Sequence, residues 1–116
     1  MSSPFTTILD GLTRQRGVRA SLIVSESDGL VVDSKLRFGE QEDRVAALAA
    51  LIYRKARLSA RAAHLGAVSF LQLDAERGRI CAAKRGDLVI VVVADAAANV
   101  GLIRVELLKA VELIEC

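Results

Sequence analysis

The sequence contains few aromatic side chains: of its 116 residues none is tryptophan, one is tyrosine and three are phenylalanine. Aromatic rings are the platforms on which proteins stack unpaired bases. The 16 basic residues are also nearly balanced by 14 acidic ones, which leaves a formal net charge of only +2. A protein with neither stacking platforms nor a strong positive field is not expected to bind nucleic acid.

Residues that bind metals or carry out catalysis are equally scarce. Cys81 and Cys116 match no zinc-ligand spacing, and the single histidine, His64, has no Cys, Asp or Glu three or four positions away. The eight glycines form neither a P-loop nor a GxGxxG motif. Asp74 and Glu76 flank a predicted turn, where a buried general acid is not expected. We therefore expect no metal and no cofactor, and we interpret the chain as a non-enzyme in which Cys81 is a core residue.

Long hydrophobic runs are also absent. The longest, Leu88 to Ala94, is too short to cross a bilayer, and the N-terminus lacks a basic start followed by an apolar segment. These features predict a cytoplasmic protein with no direct membrane insertion. A length of 116 residues predicts one domain, spanning residues 1–116.

Hydrophobic periodicity predicts three helices and five strands. The first helix is predicted to have Ser3 as its N-cap and Pro4 as its first residue. A hairpin is expected around Asp28-Gly29, a dipeptide that tight turns favour. The long helix is predicted over Glu40 to Leu65, the later strands over residues 67–75, 79–84 and 88–94, and the last helix over residues 99–115. Asn99 is expected to cap the last helix, whose inward apolar side contains Val100, Ile103, Leu107, Ala110, Val111 and Ile114. The order α-β-β-α-β-β-β-α predicts an α+β fold with a five-stranded antiparallel sheet and helices on both faces. The fully apolar fifth strand is expected at its centre.

The long helix has three sides of different composition. The broad apolar side is expected to lie on the sheet, and it contains Val45, Leu48, Leu51, Ile52, Leu58 and Leu65. A side of small residues is expected to meet a second helix, and it contains Ala49, Ala56, Ala60 and Ala63. The third side is expected to face outward, either as a solvated surface or as a partner-binding site. It contains Tyr53, Arg54, Arg57, Arg61 and His64.

The third predicted strand lies at an edge of the sheet and carries no Lys, Pro or Gly between Ala67 and Leu73. Such an edge can pair with another strand. We expect a homodimer in which two of these edges form a continuous sheet and two alanine sides meet. The edge residues of that interface are Val68, Phe70, Leu71 and Gln72. The alternative is an edge covered by a loop of its own subunit.

Three segments together resemble the Roadblock family of dynein light-chain-type domains, which includes bacterial MglB-like proteins. They are GVRASLIVSESDGLVVDS, the alanine-rich helix, and LVIVVVADAAANVGLIRVELLKAVE. The similarity spans about residues 4 to 114 and depends most on Gly29, Gly101 and Arg104. It implies a homodimer that partners a small Ras-like GTPase. As in the MglB branch, it implies stimulation of GTP hydrolysis through the GTPase's own residues, with no catalytic residue supplied by this chain.

The leading functional hypothesis is accordingly a dimeric module that docks and regulates a small GTPase. A scaffold or adaptor subunit with no effect on GTP hydrolysis is the alternative. A small-ligand sensor is a third hypothesis, which the mostly Val, Leu and Ile interior disfavours. A heterodimer with a related chain also stays open.

Overall fold

The computed structural model describes residues 4–36 and 42–114, without the side chain of Glu42. Its elements follow the predicted order α-β-β-α-β-β-β-α. The helices are α1 (Thr6–Thr13), α2 (Glu42–Ala62) and α3 (Val100–Leu113). The strands are β1 (Val18–Ser25), β2 (Val31–Leu36), β3 (Leu71–Ala75), β4 (Gly78–Arg85) and β5 (Leu88–Ala94). The predicted N-cap Ser3 and the helix start at Glu40 lie outside the described residues.

The five strands form one antiparallel sheet in the order β2-β1-β5-β4-β3. The prediction that β5 lies at the centre is confirmed, because its apolar side chains are covered on both faces: Val89 and Val91 face α2, and Ile90 and Val92 face α1 and α3. β3 lies at an edge, as predicted, and β2 forms the other edge.

The helices cover the two faces unequally. On one face α1 packs on β1 and β2, and α3 packs on β4 and on α1. The predicted inward side of α3 is confirmed, since Ile103, Leu107 and Ala110 are buried there. The helix starts where Asn99 was expected to cap it, with the side-chain oxygen accepting from the amide of Leu102 at 3.1 Å. On the other face α2 packs alone, on β1, β2 and β5.

The β1–β2 hairpin is confirmed, but its turn is wider than a two-residue loop. Five residues separate Ser25 from Val31, and the amide of Gly29 donates to the carbonyl of Ser25 at 2.8 Å. Gly29 has a φ of +71°, a conformation that glycine adopts without steric cost. This turn therefore retains the expected glycine while presenting a longer polar segment beside α2.

The prediction that β3 begins near Ala67 is wrong, because the strand starts at Leu71. The preceding residues are held by other contacts: the carbonyl of Val68 accepts from the Tyr53 hydroxyl at 2.9 Å, and Phe70 packs against the core beneath α3. Neither residue therefore belongs to the strand edge on which the predicted dimer interface was based. Leu71 and Gln72 do lie on that edge strand.

The orientation predicted for α2 is also wrong. The side that packs on the sheet is formed by Ala46, Ala49, Ala50 and Tyr53, all of which are buried. The leucines expected to lie there are exposed instead: Leu48, Leu51, Leu58 and, beyond the helix end, Leu65. Tyr53, predicted to face outward, is only 1% exposed.

Volume complementarity explains this orientation. The sheet already contributes the bulky members of this core, including Leu22, Val24 and Val91, so small helix residues allow the two backbones to approach. The prediction assigned the largest hydrophobic residues to the chain's own core. In the structure those residues remain available on the outside of the helix.

Candidate functional site

The outer side of α2 carries apolar side chains that nothing else in the described structure covers. Leu51 and Leu58 are 45% and 48% exposed and project from the side opposite the buried Ala46 and Tyr53. Three further exposed residues, Arg44, Lys55 and Ala62, lie on the same side of the helix. We call this surface the outer ridge, formed by Arg44, Leu51, Lys55, Leu58 and Ala62. Contiguous exposed apolar residues rimmed by charges are typical of protein-binding surfaces.

One flank of α2, between the outer ridge and the sheet, is also apolar. We call it the apolar flank, and it is formed by Val45, Leu48, Ile52, Ala56 and Ala63. Leu48 is 51% exposed, whereas Val45, Ile52 and Ala56 are half-buried. Their spacing of three, four and four residues between positions 45 and 56 aligns them as a ridge of the kind that packs against another helix.

Contacts in the N-terminal and C-terminal halves of α2 indicate what the apolar flank faces. Ala47 lies beside Gly29 in the β1–β2 turn, and Arg57 lies over Glu26 in the same turn. The helix therefore crosses the strands near the end of the sheet that carries this turn. Its apolar flank faces the rest of the sheet, where the apolar side chains of β3, β4 and β5 are incompletely covered. These are the half-buried Leu71, Ile80 and Val93.

The structure separates the residues that were predicted to share the outward third side of the long helix. One Nη of Arg54 donates to the carbonyls of Glu26 and Ser27, at 2.6 and 3.1 Å. Arg57 donates from Nη2 and Nε to the two carboxylate oxygens of Glu26, at 2.8 and 3.3 Å. Both arginines thus hold the β1–β2 turn. Only Arg61 and His64 of the predicted set are exposed, beside a shallow depression of about 420 Å³ that also borders Gly66 and Ala67.

Glu26 is a residue of this site that the sequence did not predict. Its side chain is 5% exposed and lies between two cations, with Lys84 Nζ 2.8 Å from Oε2. Burial alone would raise the pKa of Glu26, but the hydrogen bonds and charges of Arg57 and Lys84 together hold that pKa below its ordinary value. The carboxylate is therefore ionised at neutral pH. The sequence offered one signal, an acid that directly follows an apolar strand.

A second carboxylate ties the two turns together. Asp87, at the β4–β5 turn, accepts from the hydroxyls of Ser25 and Ser27 at 2.7 and 2.8 Å. It also accepts from the amide of Ser27 at 3.1 Å. These hydrogen bonds lower the pKa of Asp87. Asp87 thus joins the β4–β5 turn to the β1–β2 turn, which Arg54 and Arg57 in turn join to α2.

The Cys81 thiol and the Tyr53 hydroxyl are buried. Burial raises the pKa of the Cys81 thiol, and that of the Tyr53 hydroxyl, so neither is activated as a nucleophile. Within residues 4–36 and 42–114, no three His, Cys, Asp or Glu side chains are grouped as a metal site. None of the helices in that part of the chain has the length and apolar character needed to span a membrane.

The predicted dimer-interface alanines separate into two groups. Ala49 is buried against the chain's own sheet, so the expectation that it meets a second helix is wrong. Ala56 and Ala60 are half-buried and Ala63 is exposed. Ala56 and Ala63 lie on the apolar flank, where the expected contact with a second helix stays a prediction.

Comparison with known proteins gives consistent results. The family model of the Roadblock/LC7 domain matches residues 4–94. Uncharacterized protein MJ1340 of Methanocaldococcus jannaschii is 30% identical over 108 residues, which are 93% of this chain and 94% of that protein.

Two solved structures share the fold. A Roadblock/LC7 domain from Streptomyces avermitilis has a TM-score of 0.84 at 21% identity, covering 95% of this chain and 93% of that one. The gliding protein MglB from Thermus thermophilus also has a TM-score of 0.84, at 20% identity, covering 97% of this chain and 89% of that one. The resemblance noted in the sequence is confirmed, and the chain belongs to the Roadblock/LC7 family.

Proposed function

We propose that the protein is a homodimeric binding module that docks and regulates a small Ras-like GTPase. Membership of the Roadblock/LC7 family, with MglB among the structures that share its fold, supports a regulatory role associated with small GTPases in general. The observation that carries the proposal is the exposed apolar surface of α2 on a sheet whose strand β3 has an unpaired edge.

The dimer combines two surfaces that need a partner. β3 has a strand neighbour on one side only, and its exposed residues include no lysine or proline that would oppose pairing. Pairing two β3 edges about a twofold axis brings a second α2 over the half-covered Ile80 and Leu71. The apolar flanks of the two helices then pack together, burying Leu48 from both copies.

The outer ridge remains exposed in such a dimer, because it points away from the sheet and not toward the neighbouring helix. Leu51 and Leu58 supply apolar contact area, while Lys55 and Arg61 supply positive charge around it. A GTPase surface with apolar residues and an acidic rim complements this arrangement. Arg54 and Arg57 contribute indirectly, since they hold the helix to the β1–β2 turn.

Light scattering coupled to size-exclusion chromatography tests the dimer. We expect the Leu48→Glu variant to dissociate to monomers, because the change places two carboxylates between the apolar flanks. Leu30→Glu is the matched control, since Leu30 is 65% exposed in the β1–β2 turn and lies outside the interface. A wild type that is monomeric, or a Leu48→Glu variant with unchanged mass, contradicts the proposed interface.

A second experiment tests the partner. A purified Ras-like GTPase from the same organism, loaded with GTP or GDP, is titrated against the wild type and against Leu58→Glu. We expect the variant to retain the dimer and lose binding by about tenfold or more, since one lost interface anchor costs about 1.4 kcal/mol or more. Binding accompanied by faster GTP hydrolysis supports regulation, whereas binding without a rate change supports the scaffold alternative.

A further inference from the structure

One flank of α3, the flank that borders α1 and the residues that follow α1, combines two exposed leucines with two opposite charges. Leu102 and Leu113 are 53% and 70% exposed, on the face of the sheet opposite α2. Between them lie Glu106 and Lys109, whose side chains are 37% and 69% exposed. The spacing of four, three and four residues places all four on one side of the helix. We call Leu102, Glu106, Lys109 and Leu113 the α3 seam.

The α3 seam has a leucine at each end and opposite charges at its two middle positions, so it is complementary to an antiparallel copy of itself. If a second α3 lies antiparallel about a twofold axis between positions 107 and 108, Leu102 meets Leu113 of the second copy. Glu106 then meets Lys109 of the second copy, and the two remaining pairs are equivalent by symmetry. A parallel arrangement in register would instead place like charges together, which is unfavourable.

The charges are free to make these contacts. Within one chain Glu106 and Lys109 are 3.7 Å apart, a long and exposed ion pair of low intrinsic stability. No other ion pair is formed by either side chain among the described residues. Glu106, Lys109 and Leu113 line one side of a shallow groove of about 210 Å³ between α3 and α1, and Ile8 and Gly11 line the other side.

We propose that the α3 seam is a second self-association surface, whose partner is the antiparallel α3 of another copy of this chain. The leucine contacts supply the apolar area, and the two Glu106–Lys109 pairs fix direction and register. That this contact joins two dimers into an assembly of four chains rests on the proposed homodimer. The α3 contact itself does not depend on it, because α2 and α3 lie on opposite faces of the sheet.

Charge-reversal variants distinguish this specific contact from nonspecific association of apolar surfaces. Glu106→Lys makes both central positions of the seam basic, and Lys109→Glu makes both acidic. We expect each variant alone to raise the dissociation constant between dimers about tenfold or more, since like charges across an interface cost several kcal/mol. An equimolar mixture of the two variants restores the larger assembly, because acidic seams then meet basic ones.

Sedimentation velocity over a rising concentration series measures these masses, with Arg85→Glu, an exposed reversal at the β4–β5 turn, as the control. We expect four chains for the wild type and the control, two for each seam variant, and four for the mixture. Assembly unaffected by either seam reversal, or a mixture that stays at two chains, overturns the α3 contact.

The outcome also distinguishes the two interfaces. A wild type of two chains that becomes monomeric on Glu106→Lys supports the α3 contact and overturns the α2–β3 homodimer. A wild type of two chains that is unchanged by Glu106→Lys but dissociated by Leu48→Glu overturns the α3 contact and retains the homodimer. Circular dichroism confirms that each variant is folded before its mass is interpreted.

Discussion

Glu26 and Arg57 form a two-point ion pair, with Oε1 2.8 Å from Nη2 and Oε2 3.3 Å from Nε. Lys84 adds a third contact to the same carboxylate at 2.8 Å. One buried acid thereby connects the β1–β2 turn, the C-terminal half of α2 and strand β4. Since the proposed partner-binding and dimer surfaces both belong to α2, this connection fixes where those surfaces lie relative to the sheet.

The first prediction concerns the free energy of unfolding when this acid is neutralised. Glu26→Gln leaves the shape of the side chain but removes the charge that compensates Arg57 and Lys84. We expect a loss of about 1–2 kcal/mol, because Glu26 is buried while Arg57 and Lys84, which are 36% and 21% exposed, remain in contact with water. Urea denaturation of the wild type and the variant measures this loss in the free energy of unfolding. Asp10→Asn is the control: it breaks an exposed pair with Lys35 and should cost about 0.5 kcal/mol or less.

The second prediction concerns pH. The pKa of Glu26 is lowered by folding from its ordinary value of 4.5, so the carboxylate contributes stability that is fully present above about pH 4.5. That stability is lost as the pH falls through the lower pKa of the folded state. Asp87, whose pKa is lowered from 3.8, contributes in the same direction at lower pH.

Urea midpoints measured from about pH 7 to about pH 3 test this linkage. We expect the wild type to lose stability on acidification and the Glu26→Gln variant to lose less. Of the two carboxylates with a lowered pKa, the variant retains only Asp87. Parallel pH profiles for the two proteins would show that Glu26 does not titrate as proposed.

The sequence predicted the order of elements, the central position of β5 and the edge position of β3 because each depends on a period or a run of apolar residues. It did not predict which side of α2 is buried, because the helix has apolar residues on more than one side. Hydrophobicity alone would bury Leu51 against the sheet in preference to Ala50. The choice depends on the volume already supplied by Leu22 and Val91 across the core, which is a property of the packed sheet.

The third prediction tests this orientation with two adjacent residues. Ala50 is buried against the sheet, so Ala50→Leu overpacks the core and should cost about 2 kcal/mol. Leu51 lies on the outer ridge, so Leu51→Ala should change the free energy of unfolding by less than about 0.5 kcal/mol. Thermal or chemical denaturation of the two variants measures the difference. A larger loss for Leu51→Ala would mean that the helix is rotated from its observed orientation.

The candidate site was predicted only in part, for a related reason. A run of arginines at helical spacing identifies a common side, but it does not show whether those side chains meet solvent or a carboxylate from elsewhere in the chain. Arg57 and Glu26 are 31 positions apart, and their contact depends on the path of the β1–β2 turn. Arg61, one turn further along, lies beyond that turn and is exposed as expected.

The fourth prediction concerns the end of α2. His64 has a φ of +59°, and the amide of Leu65 donates to the carbonyl of Ala60 at 2.8 Å, the pattern of a helix end that glycine usually provides. A left-handed conformation costs a side chain with a Cβ about 1 kcal/mol or more. We therefore expect His64→Gly to stabilise the fold by roughly 0.5–1 kcal/mol, after the greater chain entropy of glycine is subtracted.

Differential scanning calorimetry measures the effect, with Ser59→Gly as the matched control. Ser59 lies inside the same helix and is exposed, so glycine there should lower stability by about 0.5–1 kcal/mol. Opposite signs for the two substitutions follow from the backbone conformation alone, since both replace an exposed side chain by hydrogen. Equal destabilisation by both would show that His64 is held by side-chain contacts that outweigh its conformational cost.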